Sequence, residues 1–343
     1  MRVMGRAKKI FTKHRRTKFI CIVAAIIAAV WWVVFYGISP VKTLQSFRVE
    51  HGDSVSSVAT RLQRDNIISS SQLFKFAIRL NGGRIQRGDY DIPAGTGMWP
   101  IAKMLAHGNV ASTTIVIPEG LTIKQIKILL MNSPELSGDV ECAAGTVMPV
   151  CDLHDGDIFP DTYRVARGTT RLAVLDLARK KMAALHDAWV SAGRVAPMPL
   201  RDWNDIVTLA SIVQKETPRT SEMPVVASVY INRLRKNMRL QADPTVVYAL
   251  TDGLGDMHGE PLLRGHLKTE SPYNTYTNNG LPPGPIANVG QHALRAVLRP
   301  ADTTYLFFVA DGRGGHKFSR TYDEHMRHHA KWREIKRIRN GEE

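Results

Sequence analysis

Residues 202–217 read DWNDIVTLASIVQKET, and this stretch decides the fold of the second half of the chain. Its apolar residues recur at intervals of three and four, which predicts an amphipathic helix with Leu209, Ile212 and Val213 on the buried face. Pro218 follows at once and ends the helix, because proline disfavours helical geometry in the residue before it and cannot continue the hydrogen-bond ladder.

Glu216 falls in the middle of this apolar stripe, three and four residues after two of its members. A carboxylate facing a core is costly unless it is paired or functional. Burial raises its pKa and keeps it protonated, as a general acid near neutral pH requires. The alternative is a helix that frays early and leaves Glu216 solvated. Gln214 lies on the opposite face, where we expect it to be exposed.

Upstream, residues 46–112 alternate between short strands and helices. A strand leads to a helix cap at Ser54, a second helix covers 71–80, and a strand near 89–92 precedes a helix over 96–107. This strand–helix–helix–strand order resembles a LysM-like module, a peptidoglycan-binding fold. A plain α+β spacer domain is the alternative.

Residues 113–343 form the larger predicted domain. They begin with a β-branched strand at 113–117 and a helix at 123–131, continue through a loop over 133–156, and reach a long helix at 172–190. The fold class that follows is α+β, and the helix that carries Glu216 in the larger domain resembles the glutamate-bearing helix of lysozymes.

The N-terminus predicts a membrane anchor. Residues 1–18 hold eight lysines and arginines and no acid, and an uncharged, proline-free run follows within 19–37. That run is long enough to cross a bilayer, and basic residues before it fit the positive-inside rule. A cleaved signal peptide is the alternative, although Trp31 and Trp32 favour an uncleaved anchor. The basic tail would then be cytoplasmic and the remainder extracytoplasmic.

The net charge of +15 does not predict nucleic-acid binding, because the basic tail supplies more than half of it. No zinc-finger spacing, RNA-binding aromatic motif or phosphate loop accompanies the charge. Cys142 and Cys151 could form a disulfide outside the cytoplasm or remain two free thiols. Cys21 belongs to the predicted anchor.

A series of motifs resembles the YceG-like family of endolytic murein transglycosylases. The motifs are LASIVQKET (209–217), VASVYINRL (226–234), MRLQADPTVVY (238–248), SPYNTY (271–276), GLPPGPI (280–286), YLFFVAD (305–311) and GHKFS (315–319), with FPDTY (159–163) before them. Glu216 matches the family's catalytic glutamate. Gln214 replaces the first carboxylate of its Glu-Lys-Glu-Thr motif.

The resemblance implies cleavage between the N-acetylmuramic acid and N-acetylglucosamine units of nascent glycan strands. A muramic 6-hydroxyl would attack, so Glu216 alone could act first as acid and then as base, without metal or organic cofactor. The implied partners are peptidoglycan strands and the bilayer, with peptidoglycan synthases or division proteins as further candidates. The product ends would be 1,6-anhydro, and the cuts would limit strand length.

Polar and aromatic residues within these motifs are the candidate sugar contacts. Gln241 and Asp243 follow a strand-like segment, and Tyr273, Asn274 and Tyr276 lie in a loop. Aromatic rings can stack on sugar faces while amides bind N-acetyl groups. Ordinary turn chemistry is the alternative for the loop, and Asp243 with the following proline could instead cap a helix.

Four histidines near the C-terminus, two of them at i, i+4 spacing, form no recognisable zinc motif and predict a solvated basic helix instead. They are His316, His325, His328 and His329. Two other functions remain open. A hydrolytic muramidase would need a second carboxylate, such as Asp161 or Asp243. A non-catalytic wall-binding scaffold would not need Glu216 at all.

Overall fold

The computed structural model describes residues 21–26, 28–29, 31–32, 35, 40–255 and 257–339. The predicted basic tail lies outside these residues, and so does much of the predicted anchor over 19–37. Within the part that is described, no helix combines the length and the apolar character that a membrane crossing requires.

The described chain is a mixed α/β structure in two compact units, one comprising residues up to Thr113 with Ala166–Gly168, the other Thr114–Val165 and the chain from Thr169 onward. The strands are β1 (Gln45–Val49), β2 (Gly88–Ile92), β3 (Ser112–Val116), β4 (Thr162–Ala166), β5 (Phe307–Ala310) and β6 (His316–Ser319). The helices are α1 (Val55–Arg64), α2 (Ser71–Leu80), α3 (Met98–His107), α4 (Ile123–Met131), α5 (Arg171–Ser191), α6 (Trp203–Glu216), α7 (Met223–Arg235), α8 (Asp243–Leu250), α9 (Gln291–Leu298) and α10 (Tyr322–Arg339).

The first unit packs its helices on a two-stranded antiparallel sheet in which Phe47 of β1 pairs with Tyr90 of β2. Ser54 caps α1, accepting a hydrogen bond from the backbone N–H of Ser57. Phe74 and Tyr90 are fully buried in one continuous core with residues from all three helices. Burying each of these large rings contributes roughly 1.5–3 kcal/mol to the stability of the unit.

The second unit has a helical core formed by α6, α7 and α9. Leu209, Ile212 and Val213 of α6 have no exposed surface, which confirms the predicted buried face. Asp202 caps the helix by accepting from the N–H of Asp205, and Thr217 ends it. The helix thus continues through Glu216 and does not fray before it.

A smaller core of the same unit lies between α4, α5 and the strands β3 and β4. Thr122 caps α4 in a capping box with Gln125. The loop before β4 contains a disulfide between Cys142 and Cys151, which decides between the two states left open by the sequence. Near the C-terminus, β5 and β6 pair antiparallel.

Candidate active site

Glu216 is the last residue of α6, and its side chain is half-buried at the end of the apolar stripe. The Tyr230 hydroxyl, from the middle of α7, donates a 2.6 Å hydrogen bond to Glu216 Oε1. Among the residues that the structure describes, no hydrogen bond occupies the other oxygen, Oε2. The carboxyl group is therefore held by one oxygen and available through the second.

Burial raises the pKa of Glu216 from its ordinary value of 4.5 to about 7. The hydrogen bond from Tyr230 and the charge of Arg233 favour the ionised form, and the nearby carboxylate of Asp243 disfavours it, but desolvation outweighs them. A carboxyl group with this pKa exchanges its proton near neutral pH, as a group that serves as both acid and base requires.

Arg233 lies one helical turn after Tyr230 and is buried. Its Nε donates to the Leu306 carbonyl at 2.7 Å, and its Nη1 donates to the Leu240 carbonyl at 2.7 Å. Burial lowers the pKa of its guanidinium from the ordinary value. Because its hydrogen bonds go to main-chain carbonyls, Arg233 contributes positive charge near Glu216 without forming an ion pair with it.

Glu216 opens onto a cavity of about 340 Å³. The wall comes from α6, α7, the start of α8, the loop after Ser271, strand β5 and helix α10. Its lining residues are Glu216, Tyr230, Arg233, Leu240, Gln241, Asp243, Tyr276, Phe307, Phe308, Val309, Tyr322, His325 and His329. The cavity combines aromatic rings with a few polar groups, as sites for small polar ligands usually do.

Three of the five predicted sugar contacts line this cavity. Gln241 has a left-handed backbone with φ of 49°, and its N–H donates to the Thr275 carbonyl. Asp243 is the first residue of α8 but does not cap it, since Ala242 is the N-cap. Its Oδ1 accepts a 2.5 Å hydrogen bond from the Tyr276 hydroxyl. The predicted strand just before Gln241 does not form.

The other two predicted contacts lie elsewhere. Asn274 is completely buried. Its Nδ2 donates to the carbonyls of Leu267 and Thr269, and its Oδ1 accepts from the N–H of Tyr276, so the amide is occupied in holding its own loop. Tyr273 lines a different cavity of the same unit. The structure therefore does not bring these two side chains to Glu216.

Gln214 is half-buried and not exposed as the helical periodicity predicted, because its Oε1 accepts from the N–H of Gly290 at the start of α9. Asp161, one candidate second carboxylate, pairs with Lys181 and does not line the Glu216 cavity. Asp243 is therefore the candidate second carboxylate that shares the cavity with Glu216.

Sequence reasoning missed several cavity residues. Tyr230 and Arg233 are three residues apart on α7, so helical periodicity could have placed them on one face. No sequence pattern indicated that this face lies against Glu216. His325 and His329 also line the cavity, although they were expected to be solvated. Their Nδ1 atoms are buried without a hydrogen-bond partner within the described structure. In the same described ranges, no three metal-ligating side chains cluster closely enough to hold an ion.

The YceG-like family model matches residues 47–331, which include the whole lining of the Glu216 cavity and parts of both compact units. This chain belongs to the YceG-like family. A Bacillus subtilis protein named endolytic murein transglycosylase is 29% identical over 308 residues, covering 83% of each chain. A Streptococcus pneumoniae protein of the same name is 24% identical over 77% of this chain, which spans only 53% of that longer relative. A crystal structure of a YceG-like protein from Listeria monocytogenes is 29% identical, covers 83% of this chain and 98% of its own, and superposes with a TM-score of 0.49.

Proposed function

We propose that this protein is an endolytic peptidoglycan lytic transglycosylase and that Glu216 is its acid and base. The observation that carries the proposal is the half-buried Glu216 carboxyl, with a pKa of about 7, on the wall of a polar and aromatic cavity. Membership of the YceG-like family and relatives named endolytic murein transglycosylase support the choice of substrate.

In the first step, Glu216 gives its proton to the glycosidic oxygen while the bond to the anomeric carbon of the muramic acid breaks. The electron pair leaves with that oxygen, and positive charge develops on the sugar ring. The muramic acid's own 6-hydroxyl then attacks the anomeric carbon, and its proton passes to the Glu216 carboxylate. The acid is restored and the new end is a 1,6-anhydro sugar.

Tyr230 would keep the Glu216 carboxyl oriented, because it holds Oε1 and leaves Oε2 to face the substrate. Burial raises the pKa of Tyr230 well above its ordinary value, so the hydroxyl keeps its proton and donates throughout the reaction. Asp243, held by Tyr276, would place a carboxylate where the charge on the sugar ring develops. Gln241 would contact the sugar from the adjoining wall.

Membrane anchoring through residues 19–37 and a LysM-like role for residues 46–112 are part of the same proposal. An uncharged N-terminal run behind a basic tail supports the anchor. The β–α–α–β order of the first unit supports the LysM-like module. Together they would hold the enzyme at the inner membrane with residues 113–343 as the catalytic domain, close to newly made strands and to the synthases or division proteins that act there.

Product analysis tests the reaction. The full chain, purified in detergent, and its Glu216→Gln variant are incubated with purified peptidoglycan, and the products are identified by mass spectrometry. We expect internal cuts with 1,6-anhydro ends for the native chain and none for the variant. Reducing ends would instead establish a hydrolase, with Asp243 as its second carboxylate. A folded native chain that releases no fragments would contradict both enzymatic assignments and favour a wall-binding scaffold.

A further inference from the structure

A second cavity, of about 640 Å³, opens in the same unit as the Glu216 cavity. Its wall is formed by the start of α4, the loop over 153–157, Asn204 at the start of α6, the end of α8, and the two loops that carry Tyr273 and Pro283–Pro285. Its volume lies within the usual range for small-ligand sites. Neither the predicted catalytic step nor the disulfide involves this cavity.

Helix α8 and the 271–276 loop each contribute to both cavities. Asp243, the first residue of α8, lines the Glu216 cavity, and Tyr248, five residues later, lines the second one. That separation corresponds to about 7.5 Å along a helix axis. In the loop, Tyr276 lines the Glu216 cavity, whereas Tyr273 lines the second. The two cavities are therefore built in part by the same helix and the same loop, on different sides of them.

Asn274 fixes the spacing between these two tyrosines. Its buried side-chain amide donates hydrogen bonds to the carbonyls of Leu267 and Thr269 and accepts one from the Tyr276 N–H. Thr275 is also buried, and its hydroxyl lies 2.9 Å from that of Thr245 on α8. The loop and the helix are thus joined by a buried layer between the cavities, which fixes the position of one cavity relative to the other.

The second cavity offers aromatic faces and uncharged polar groups. The rings of Tyr248 and Tyr273 lie with centroids 4.8 Å apart and planes at 46°. The Tyr248 hydroxyl donates a 2.7 Å hydrogen bond to the buried carboxyl of Asp155. Exposed Asn204 and half-buried Ser271 add an amide and a hydroxyl to the wall. Such combinations suit the faces and hydroxyls of sugars.

The charges around this cavity disfavour anionic ligands. Lys124 is paired with Asp252 at 2.8 Å, so its charge is compensated. Asp155 and Asp157 also line the wall, and the exposed His154 lies 3.9 Å from Asp157. Phosphates and nucleic acids would meet carboxylates here without an uncompensated lysine or arginine. An N-acetylglucosamine unit of a glycan strand is neutral and would not incur this repulsion, whereas the lactyl carboxylate of a peptide-free muramic acid would.

We infer that the cavity of Tyr248, Tyr273 and Asp155 is a glycan subsite that holds a sugar of the strand away from the bond being cut. An enzyme that cuts within a strand has glycan on both sides of the cut, and the cavity at Glu216 encloses only a small part of it. The second cavity, built in part by the same helix and loop, receives a more distant part of the strand. The inference rests on the proposed function for its ligand.

The test compares the native full chain with Tyr273→Ala, which removes one ring, and Ala249→Trp, which fills the cavity from α8. Tyr305→Ala is the control, because Tyr305 is a half-buried tyrosine that lines neither cavity. The substrate is glycan strands stripped of stem peptides by an amidase. Cleavage gives KM and kcat, and isothermal titration calorimetry of the same variants in a Glu216→Gln background gives binding without cleavage.

We expect Tyr273→Ala and Ala249→Trp to raise KM and weaken binding about tenfold, with kcat changed less than threefold, the loss expected for one aromatic contact. Tyr305→Ala should match the native chain. Native-like KM and binding in both cavity variants would overturn the subsite, and so would a loss seen only on strands that keep their peptides. If the native chain binds but does not cleave, the proposed reaction fails, and the binding comparison still decides the subsite.

Discussion

Glu216 and Asp155 are both enclosed carboxyl groups of the second unit, and each accepts a hydrogen bond from a tyrosine. Burial raises the pKa of both. They differ in whether the second carboxyl oxygen accepts a hydrogen bond from the protein. Asp155 Oδ1 accepts from the Ile123 N–H at the start of α4, so both of its oxygens are occupied. Glu216 keeps one oxygen available to its cavity.

This difference indicates that burial and a raised pKa do not by themselves identify a catalytic acid. Asp155 joins the N-terminus of α4 to Tyr248 of α8, which makes it chiefly a structural link in the wall of its cavity. Among the described residues, the Glu216 carboxyl accepts a hydrogen bond from Tyr230 alone. A carboxyl group that must give and take a proton needs an oxygen that the protein leaves unoccupied.

The largest expected difference between Glu216 and Asp155 is in how much their substitution lowers kcat. Glu216→Gln removes the only group assigned to proton transfer, so we expect kcat to fall at least about 1,000-fold. Asp155→Asn keeps an oxygen for the Ile123 N–H and can donate its amide N–H to the Tyr248 oxygen, so it should lower kcat less than about tenfold. Initial rates of anhydro-end release measure both. Comparable losses in the two variants would remove the distinction between them.

The next largest expected effect is on stability, and it concerns Asp155. Asp155→Ala leaves the Tyr248 hydroxyl and the Ile123 N–H without their buried acceptor, and we expect the free energy of unfolding to fall by about 3 kcal/mol. Asp243→Ala is the control, since it removes an exposed carboxylate that also accepts from a tyrosine, and it should cost less than about 1 kcal/mol. Chemical denaturation at pH 7 measures both. An equal loss in the two would contradict a structural role for Asp155.

A smaller effect depends on pH. The pKa of Glu216 is higher in the folded chain than in the unfolded one, so the folded chain binds more protons between about pH 4.5 and 7. Its stability should therefore fall as the pH rises through that window. Glu216→Gln cannot ionise and avoids this loss. We expect the variant to be more stable than the native chain by about 1–3 kcal/mol at pH 8 and equally stable near pH 4.

Thermal unfolding of both proteins across this pH range measures the difference. If the difference in stability between the two proteins did not change with pH, Glu216 would ionise as easily in the folded chain as in the unfolded one.

Local sequence patterns predicted much of the fold. The helices at Ser71–Leu80 and Ile123–Met131 have the predicted bounds, because cap residues and apolar periodicity agree there. The position of Glu216 on the buried face of α6 also followed from periodicity. These features depend on residues within a few turns of one another, which is the range over which such patterns carry information.

The partners of Glu216 could not be predicted in this way. Tyr273 and Tyr276 are three residues apart in one loop yet line different cavities, because the buried amide of Asn274 turns the loop between them. His325 lies more than 100 residues after Glu216 and reaches its cavity only through the packing of α10. The geometry of the loop depends on hydrogen bonds to main-chain carbonyls, and the position of His325 depends on packing between distant helices. Neither leaves a periodic pattern in the sequence.

The most direct measurement is an infrared titration of the Glu216 carboxyl, taken as the difference between the native chain and Glu216→Gln from pH 4 to 9. A protonated carboxyl band that persists at pH 6 and disappears with a midpoint near 7 is the predicted result. A carboxylate that is already fully ionised at pH 5.5 would contradict the account, because Glu216 would then hold no proton to give at neutral pH.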